Sequence, residues 1–301
     1  MRFQTRLLST YTLLIVLLVV VLAISFSTYS ARAFESTAST SLSVIAQKMS
    51  QQLENLIRPM DFITTYLLSN GDFMSSMASL ANLDRRGSRN LFYINEGWQT
   101  INATLLSYSI IKNFYSVDVF NKAGDFLSSN FSTHGSIPDA PARIKAIPWT
   151  APADAAFGRA LLLPPYADPW AQAEPARVYG LVRSVQGPRG GIGYLEVQNP
   201  YADLERVFAV PESEGVTVLA AMENGDLFFS SRALGAELQK SYVDFARSEK
   251  PALSMRRNPV TGRQEIVVRS SSGYTGVTVV LAQDQRVLLR PLSFTRNMTY
   301  L

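Results

Sequence analysis

The chain has no cysteine and a single histidine among its 301 residues. Without cysteine there are no disulfides, no thiolate zinc ligands and no thiol nucleophile. The one imidazole, His134, lies in a polar stretch. No serine or carboxylate stands at a spacing that marks an activated nucleophile or a coordination set. Runs of Lys or Arg are missing too, and a net charge of +4, from 28 basic and 24 acidic side chains, is mild. Nothing here is built to grip a phosphate backbone, so nucleic acid is excluded as a partner. The glycines at 190, 191 and 193 stand between two strand-like stretches with no helix behind them. They read as a hairpin turn and not as a nucleotide loop.

Charge is also absent between Arg6 and Arg32, where residues 13–24 are unbroken aliphatic sequence. Roughly 20 apolar residues suffice for a helix to cross about 30 Å of hydrocarbon. Arg2 and Arg6 precede the run, which places the short N-terminus in the cytoplasm and the rest of the chain outside. A cleaved signal peptide is the rival reading, with Ala31, Arg32 and Ala33 as an A-x-A-like site. The length of the run and the lack of any turn residue after it favour an uncleaved anchor. Roughly 270 residues remain, enough for one elongated domain or two ordinary ones. The hydrophobic share of 47% supplies an ample core.

Beyond the anchor, Leu42, Ile45, Met49, Leu53, Leu56, Met60, Ile63 and Leu67 follow steps of three and four. They form one stripe on a long helix, continuous with the anchor and kinked without ending at Pro59. Residues 11–68 would span about 85 Å at 1.5 Å per residue. The stripe either packs on its own domain or forms a dimer seam around Met49 and Leu53, and different stretches can do each. Asn70, Gly71 and Asp72 end the rod, and a second helical region follows with Phe92, Trp98, Ile101 and Leu105.

The period then changes to two. Residues 115–120 and 125–129 read as strands around an Asn121–Gly124 turn. About a hundred residues later, 216–221 and 226–231 repeat the pattern around Asn224 and Gly225, and both copies end in Ser-Ser. A second hairpin closes each copy, 178–184 with 192–197 and 265–270 with 276–281, with Arg-Ser at 183–184 and 269–270. The same order of segments twice predicts a duplicated α+β module. In the first copy the two hairpins are joined by residues 131–177, rich in proline from Pro138 to Pro175 and holding Trp149, Tyr166 and Trp170. A linker this long with aromatics in it is expected to be ordered and functional. Its counterpart reads as a plain helix over 234–247, so the first module is expected to carry recognition and the second to act as a spacer near the membrane. Arg183 sits in an apolar strand and needs a partner if buried. It either grips a ligand anion or pairs with Asp118 or Glu196, and its repetition as Arg269 favours the structural role. The three aromatics either line a ligand pocket or pin the linker to the sheet.

This layout resembles the double-Cache extracellular sensor domain, and in detail the YesM-type sensor histidine kinases of Gram-positive bacteria. The resemblance rests on the basic start at residues 1–3, the helix over 42–68, LLPPY at 162–166 with Trp170, VYGLVR at 178–183 and VTVVLAQ at 277–283. It implies an α+β fold in which a transmembrane helix continues into the long kinked helix, followed by two PAS-like antiparallel modules in tandem. The corresponding divisions are 1–31 (anchor), 32–72 (signalling helix), 73–210 (membrane-distal module), 211–286 (membrane-proximal module) and 287–301 (lead into a second membrane segment). It implies a sensor rather than an enzyme, without cofactor or metal, anchored in the lipid bilayer. A small extracellular solute is its ligand, and it forms a homodimer through the long helix. The expected ligand-binding set is Asp118, Trp149, Tyr166, Trp170, Tyr179 and Arg183. The chain departs from that layout in ending at Leu301 before a second apolar span, so a truncated receptor is expected. It also lacks the Tyr, Arg-x-Trp and Asp pattern of the amino-acid-binding group. The input of a chemoreceptor or cyclic-dinucleotide enzyme, and a tethered solute-binding protein, remain as alternatives.

Overall fold

A computed structural model of the chain describes residues 3–82, 88–107, 113–130, 132–134, 140–172, 174–211, 215–249 and 251–288. The expected lead into a second membrane segment at 287–301 lies almost wholly outside them. Helix α1 runs unbroken over Phe3–Ser69, 67 residues, with Pro59 inside it. Pro59 is exposed, and the stripe continues on both sides of it. The large apolar side chains from Leu13 through Ile24 are exposed, as a lipid-facing segment requires. Among the described residues this is the one helix long and apolar enough to cross a membrane.

Past the apolar stretch, the stripe turns inward. Leu42, Met49, Leu53, Met60, Ile63 and Leu67 are buried, Ala46 and Ile57 join them, and Ile45 and Leu56 form the margin. They share one apolar cluster with Val117, Leu195 and Val197 of the first sheet and Val218, Val279 and Leu281 of the second. The dimer-seam reading of Met49 and Leu53 is thereby corrected. Leu53 has no exposed surface, because the chain's own two sheets cover it.

Asn70 separates α1 from α2 (Gly71–Asn82), accepting at Oδ1 a hydrogen bond from the Phe73 N–H at 2.9 Å as an N-cap residue does. Helix α3 (Ser88–Ser107) packs back on α2. The first sheet contains β1 (Ser116–Asn121), β2 (Phe126–Ser128), β3 (Leu161–Ala167), β4 (Arg177–Gly187) and β5 (Gly190–Pro200), in the order β2-β1-β5-β4-β3. Helix α4 (Ala140–Ala146) and helix α5 (Thr150–Ala156) lie between β2 and β3, and α6 (Tyr201–Val207) leads on. The second sheet contains β6 (Val216–Met222), β7 (Leu227–Ser230), β8 (Leu253–Arg257), β9 (Gln264–Ser271) and β10 (Val277–Asp284), in the order β7-β6-β10-β9-β8. Helix α7 (Ala236–Arg247) lies between β7 and β8, and α8 (Gln285–Leu288) follows β10.

Adding five to each strand number of the first sheet gives the second, so the expected duplication is present in the topology. The repeated Ser-Ser has a shared job. Ser129 Oγ accepts from Val117 N at 2.8 Å, and Ser231 Oγ accepts from Val218 N at 3.0 Å, closing equivalent hairpins. Two strands were not expected. β3 carries Pro164 and Pro165, which an edge position tolerates, and its register with β4 breaks between Leu163 and Tyr166. β8 is the matching edge of the second sheet. The described part of the proline-rich linker thus holds two short helices and a strand.

The equivalence of Arg183 and Arg269 does not hold. Arg183 stands opposite Leu195, on the face that meets α1, whereas Arg269 stands opposite Val280, on the face covered by α7. Side chains alternate along a strand, so a shift of one residue puts the two arginines on opposite faces.

Candidate functional site

The far face of the first sheet, away from α1, carries the polar residues. Val117 and Val119 of β1 and Leu195 and Val197 of β5 point to the α1 core, leaving Ser116, Asp118, Tyr194, Glu196 and Gln198 on the other side. Asp118 and Glu196 are direct cross-strand partners, as are Ser116 and Gln198. Two carboxylates opposite one another repel, and here both are fully buried.

Donors gather around them. His134 has no exposed surface. Its Nδ1 lies 3.1 Å from Asp118 Oδ1 and 2.8 Å from Ser128 Oγ, and its Nε2 lies 2.7 Å from Asp168 Oδ2. Trp170 donates from Nε1 to Glu196 Oε2 at 2.8 Å, and the Tyr166 hydroxyl donates to Glu196 Oε1. The Tyr166 hydroxyl reaches that oxygen by crossing β4 at Gly180, where a Cβ would collide with it. Ser116 Oγ bonds Asp118 Oδ2 at 2.6 Å, and Tyr115 donates to Asp168 Oδ2 at 3.2 Å. The turn holding Asp168 is fixed in turn. Its Oδ1 accepts from Trp170 N at 3.0 Å, and Arg143 Nη1 donates to the Pro169 and Ala171 carbonyls. Rings close the face, with Trp170 centred 4.2 Å from Phe126 and 5.0 Å from Phe120, and Trp149 5.6 Å from Phe120.

The protonation pattern follows. Burial by itself would lower the His134 pKa, but the hydrogen bonds and charges of Asp118 and Asp168 outweigh it and lift the group to about 9. Burial, and then the charge of Asp118, raise Glu196 to about 8. Burial also opposes the ionisation of Asp168, yet His134 brings it below the usual carboxylate range. The surroundings therefore favour the charged form of His134 and the neutral form of Glu196. Ser128, His134 and Asp168 line up like a nucleophile, base and orienting group. Both ring nitrogens face carboxylates, which favour the charged imidazole, and in that form it has no lone pair with which to activate a hydroxyl. No group of three or more His, Asp or Glu side chains among the described residues is arranged to hold a metal ion.

Of the six expected ligand-binding residues, Asp118, Trp149, Tyr166 and Trp170 come together on this face. Tyr179 and Arg183 do not. Tyr179 is buried on the α1 side with its ring 6.1 Å from Phe228 of the second module. Arg183 pairs with Asp61 of α1, its Nη2 lying 2.5 Å from Oδ1, and not with Asp118 or Glu196. The reason is parity. Both side chains occupy odd positions of β4 beside Leu181 and Val185, while Val178, Gly180 and Val182 face the polar cluster. Four members of the cluster, His134, Asp168, Glu196 and Gln198, are not among the expected ligand-binding set. The alternation Tyr194, Glu196, Gln198 in an otherwise apolar strand is the visible signal for two of them. Separately, a concave region of about 370 Å³ lies between α1 and α6, lined by Gln52, Asn55, Leu56, Asp203, Arg206 and Val207.

No protein-family model matches this chain, and no curated protein matches it. Solved structures do. The sensory domain of the Campylobacter jejuni chemoreceptor Tlp3 with isoleucine bound is 12% identical at a TM-score of 0.54, covering 86% of this chain and 98% of that one. The sensor domain of the V. cholerae histidine kinase DctB is 14% identical at a TM-score of 0.54, covering 83% and 98%. The ligand-binding domain of the Pseudomonas fluorescens chemoreceptor CtaA in complex with L-serine is 12% identical at 0.53, covering 83% and 99%. All three are sensory domains and not catalytic ones, and nearly the whole of each is matched. With its long apolar helix leading into two tandem five-stranded sheets, this chain shares the fold of those receptor domains, two α+β modules of the double-Cache kind.

Proposed function

We propose that this chain is the extracytoplasmic sensing region of a membrane-anchored receptor, and that it takes a small solute at the far face of the first sheet. The observation that carries the reading is the buried cluster of Asp118, His134, Asp168 and Glu196 under Trp170 and Tyr166. A polar set of this kind, desolvated beside aromatic rings, is what fixes the orientation of a small polar ligand. Two of the matched domains hold amino acids, isoleucine in the Tlp3 domain and L-serine in the CtaA domain. Amino acids therefore head the panel to be tested, although the sequence lacks the pattern of the amino-acid-binding group. We read the output as a sensor histidine kinase of the YesM type, on the strength of LLPPY at 162–166 with Trp170 and VYGLVR at 178–183. The divisions at residues 31, 72, 210 and 286 belong to this reading. So does a homodimer, which would use the outward side of α1, where Phe62 and Tyr66 stack in solvent with centroids 6.0 Å apart.

The test is thermal unfolding of the full chain in detergent micelles against amino acids, small carboxylates and sugars. A stabilising solute is expected to raise the midpoint in the wild type and to lose that effect in Asp168→Asn. A rise that Asp168→Asn leaves intact would place the site elsewhere, the region between α1 and α6 being the next to test. Sequence beyond the codon for Leu301 decides the output. A second apolar span followed by a kinase module supports the sensor kinase, and a stop codon there supports a tethered binding protein.

A further inference from the structure

Asp61 of α1 uses its two carboxylate oxygens for two different modules. Oδ1 accepts from Arg183 Nη2 of β4, in the first module. Oδ2 accepts from the Tyr274 hydroxyl at 2.6 Å, in the turn between β9 and β10 of the second. Each side is anchored further. Arg183 also donates from Nε to Thr64 Oγ1 at 3.0 Å and from Nη1 to the Gly158 carbonyl at 2.7 Å. Tyr274 lies under the Arg58 guanidinium, 4.3 Å from its ring centroid. Arg58 Nη2 donates to Glu54, which also accepts from Ser272 Oγ at 2.6 Å. Residues 54, 58 and 61 follow one side of the helix, and the non-donating Pro59 falls among them.

Arg183 Nη2 also lies 3.3 Å from Thr65 Oγ1, and the shared core between α1 and the two sheets is apolar among the described residues. Apolar packing is non-directional, so it tolerates small sliding of one element over another. Hydrogen bonds to a carboxylate do not, because they weaken steeply with distance and angle. A displacement of β4 along α1 must therefore either break the Arg183–Asp61 bond or carry Asp61 with it, and Asp61 is also the acceptor for Tyr274.

We infer that Asp61 is the joint through which the state of the ligand-bearing module reaches the membrane-proximal module, with Arg183 and Tyr274 as its two arms. The assignment of ligand binding to the first module rests on the reading above, but the joint itself can be tested without any ligand. A failure of one is therefore distinguishable from a failure of the other.

The experiment is amide hydrogen exchange on the full chain in lipid nanodiscs. Arg183→Met alters only the first module, yet it is expected to raise exchange across residues 272–276 of the second at least about fivefold, the lower end of ordinary coupling between sites. Coupling is reciprocal, so Tyr274→Phe is expected to raise exchange over residues 157–159, around the Gly158 carbonyl that Arg183 holds, by a similar factor. Lys122→Met removes the exposed 2.9 Å ion pair with Asp154 elsewhere in the first module and is expected to leave 272–276 unchanged. Changes confined to the substituted module overturn the inference. An equal effect from Lys122→Met overturns it as well, since that would be general loosening.

Discussion

Replacing His134 with glutamine tests the electrostatics of the polar cluster directly. The imidazolium bridges Asp118 and Asp168 with no access to water, and its pKa rises from 6.5 to about 9. A rise of that size corresponds to roughly 3 kcal/mol of folding stability in the charged form. Because the folded pKa is raised, the contribution is fully present below pH 6.5 and is lost as pH climbs through 9. The glutamine side chain fills similar space and can donate toward one aspartate, but it brings no charge, so two buried carboxylates face each other uncompensated. At pH 6 the His134→Gln variant is expected to lose about 3 kcal/mol. Near pH 10 the wild-type ring is itself neutral, and the gap is expected to shrink to roughly 1 kcal/mol of packing difference. Urea unfolding of the full chain in micelles reads this through Trp149 and Trp170, two of the three tryptophans, which sit against the cluster. A penalty equal at pH 6 and pH 10 refutes the buried imidazolium.

Glu196 leads to a companion result. Its folded pKa lies above the 4.5 of the free side chain, so between 4.5 and about 8 the native state binds more protons than the unfolded one and stability falls as pH rises. Glu196→Gln is expected to flatten that decline, measured as unfolding midpoint against pH, and an unchanged slope counts against the assignment. Gly180→Ala is expected to cost about 1–3 kcal/mol, since the new methyl would drive the Tyr166 hydroxyl off Glu196. The double change with Tyr166→Phe should recover much of that loss in the same unfolding assay, and additive losses would refute the clash. Leu53→Ala, at a position with no exposed surface, is expected to destabilise the fold by about 2–5 kcal/mol, seen as a lower thermal midpoint. A loss of dimerisation at unchanged stability would instead restore the seam.

The fold was legible because its signals are local and repeated. Asn121 and Asn224 mark equivalent hairpins, and the apolar steps from Leu42 to Leu67 fix one helix face. What stayed hidden were β3 and β8. β3 is short of apolar alternation and contains two prolines that only an edge would accept, and edges are set by the neighbours a strand has, not by its own residues. The candidate site was legible only in part. Asp118, Trp149, Tyr166 and Trp170 stand out as aromatic and acidic residues in unusual places. His134 does not, because its partners Asp118 and Asp168 are 16 and 34 residues away in sequence, and no spacing rule spans a sheet and a turn. Arg183 and Tyr179 were misplaced for a different reason. Whether an odd or an even position faces the polar side depends on which face α1 covers, which the strand alone does not encode.

The unbroken course of α1 also sets an angular phase between its apolar N-terminal stretch and the modules. At 3.6 residues per turn, each residue inserted between Ile24 and Leu42 turns that stretch about 100° relative to both sheets, and seven residues nearly restore it. Any response that depends on which side of the stretch faces a neighbour would therefore vary periodically with helix length, while the modules keep their fold.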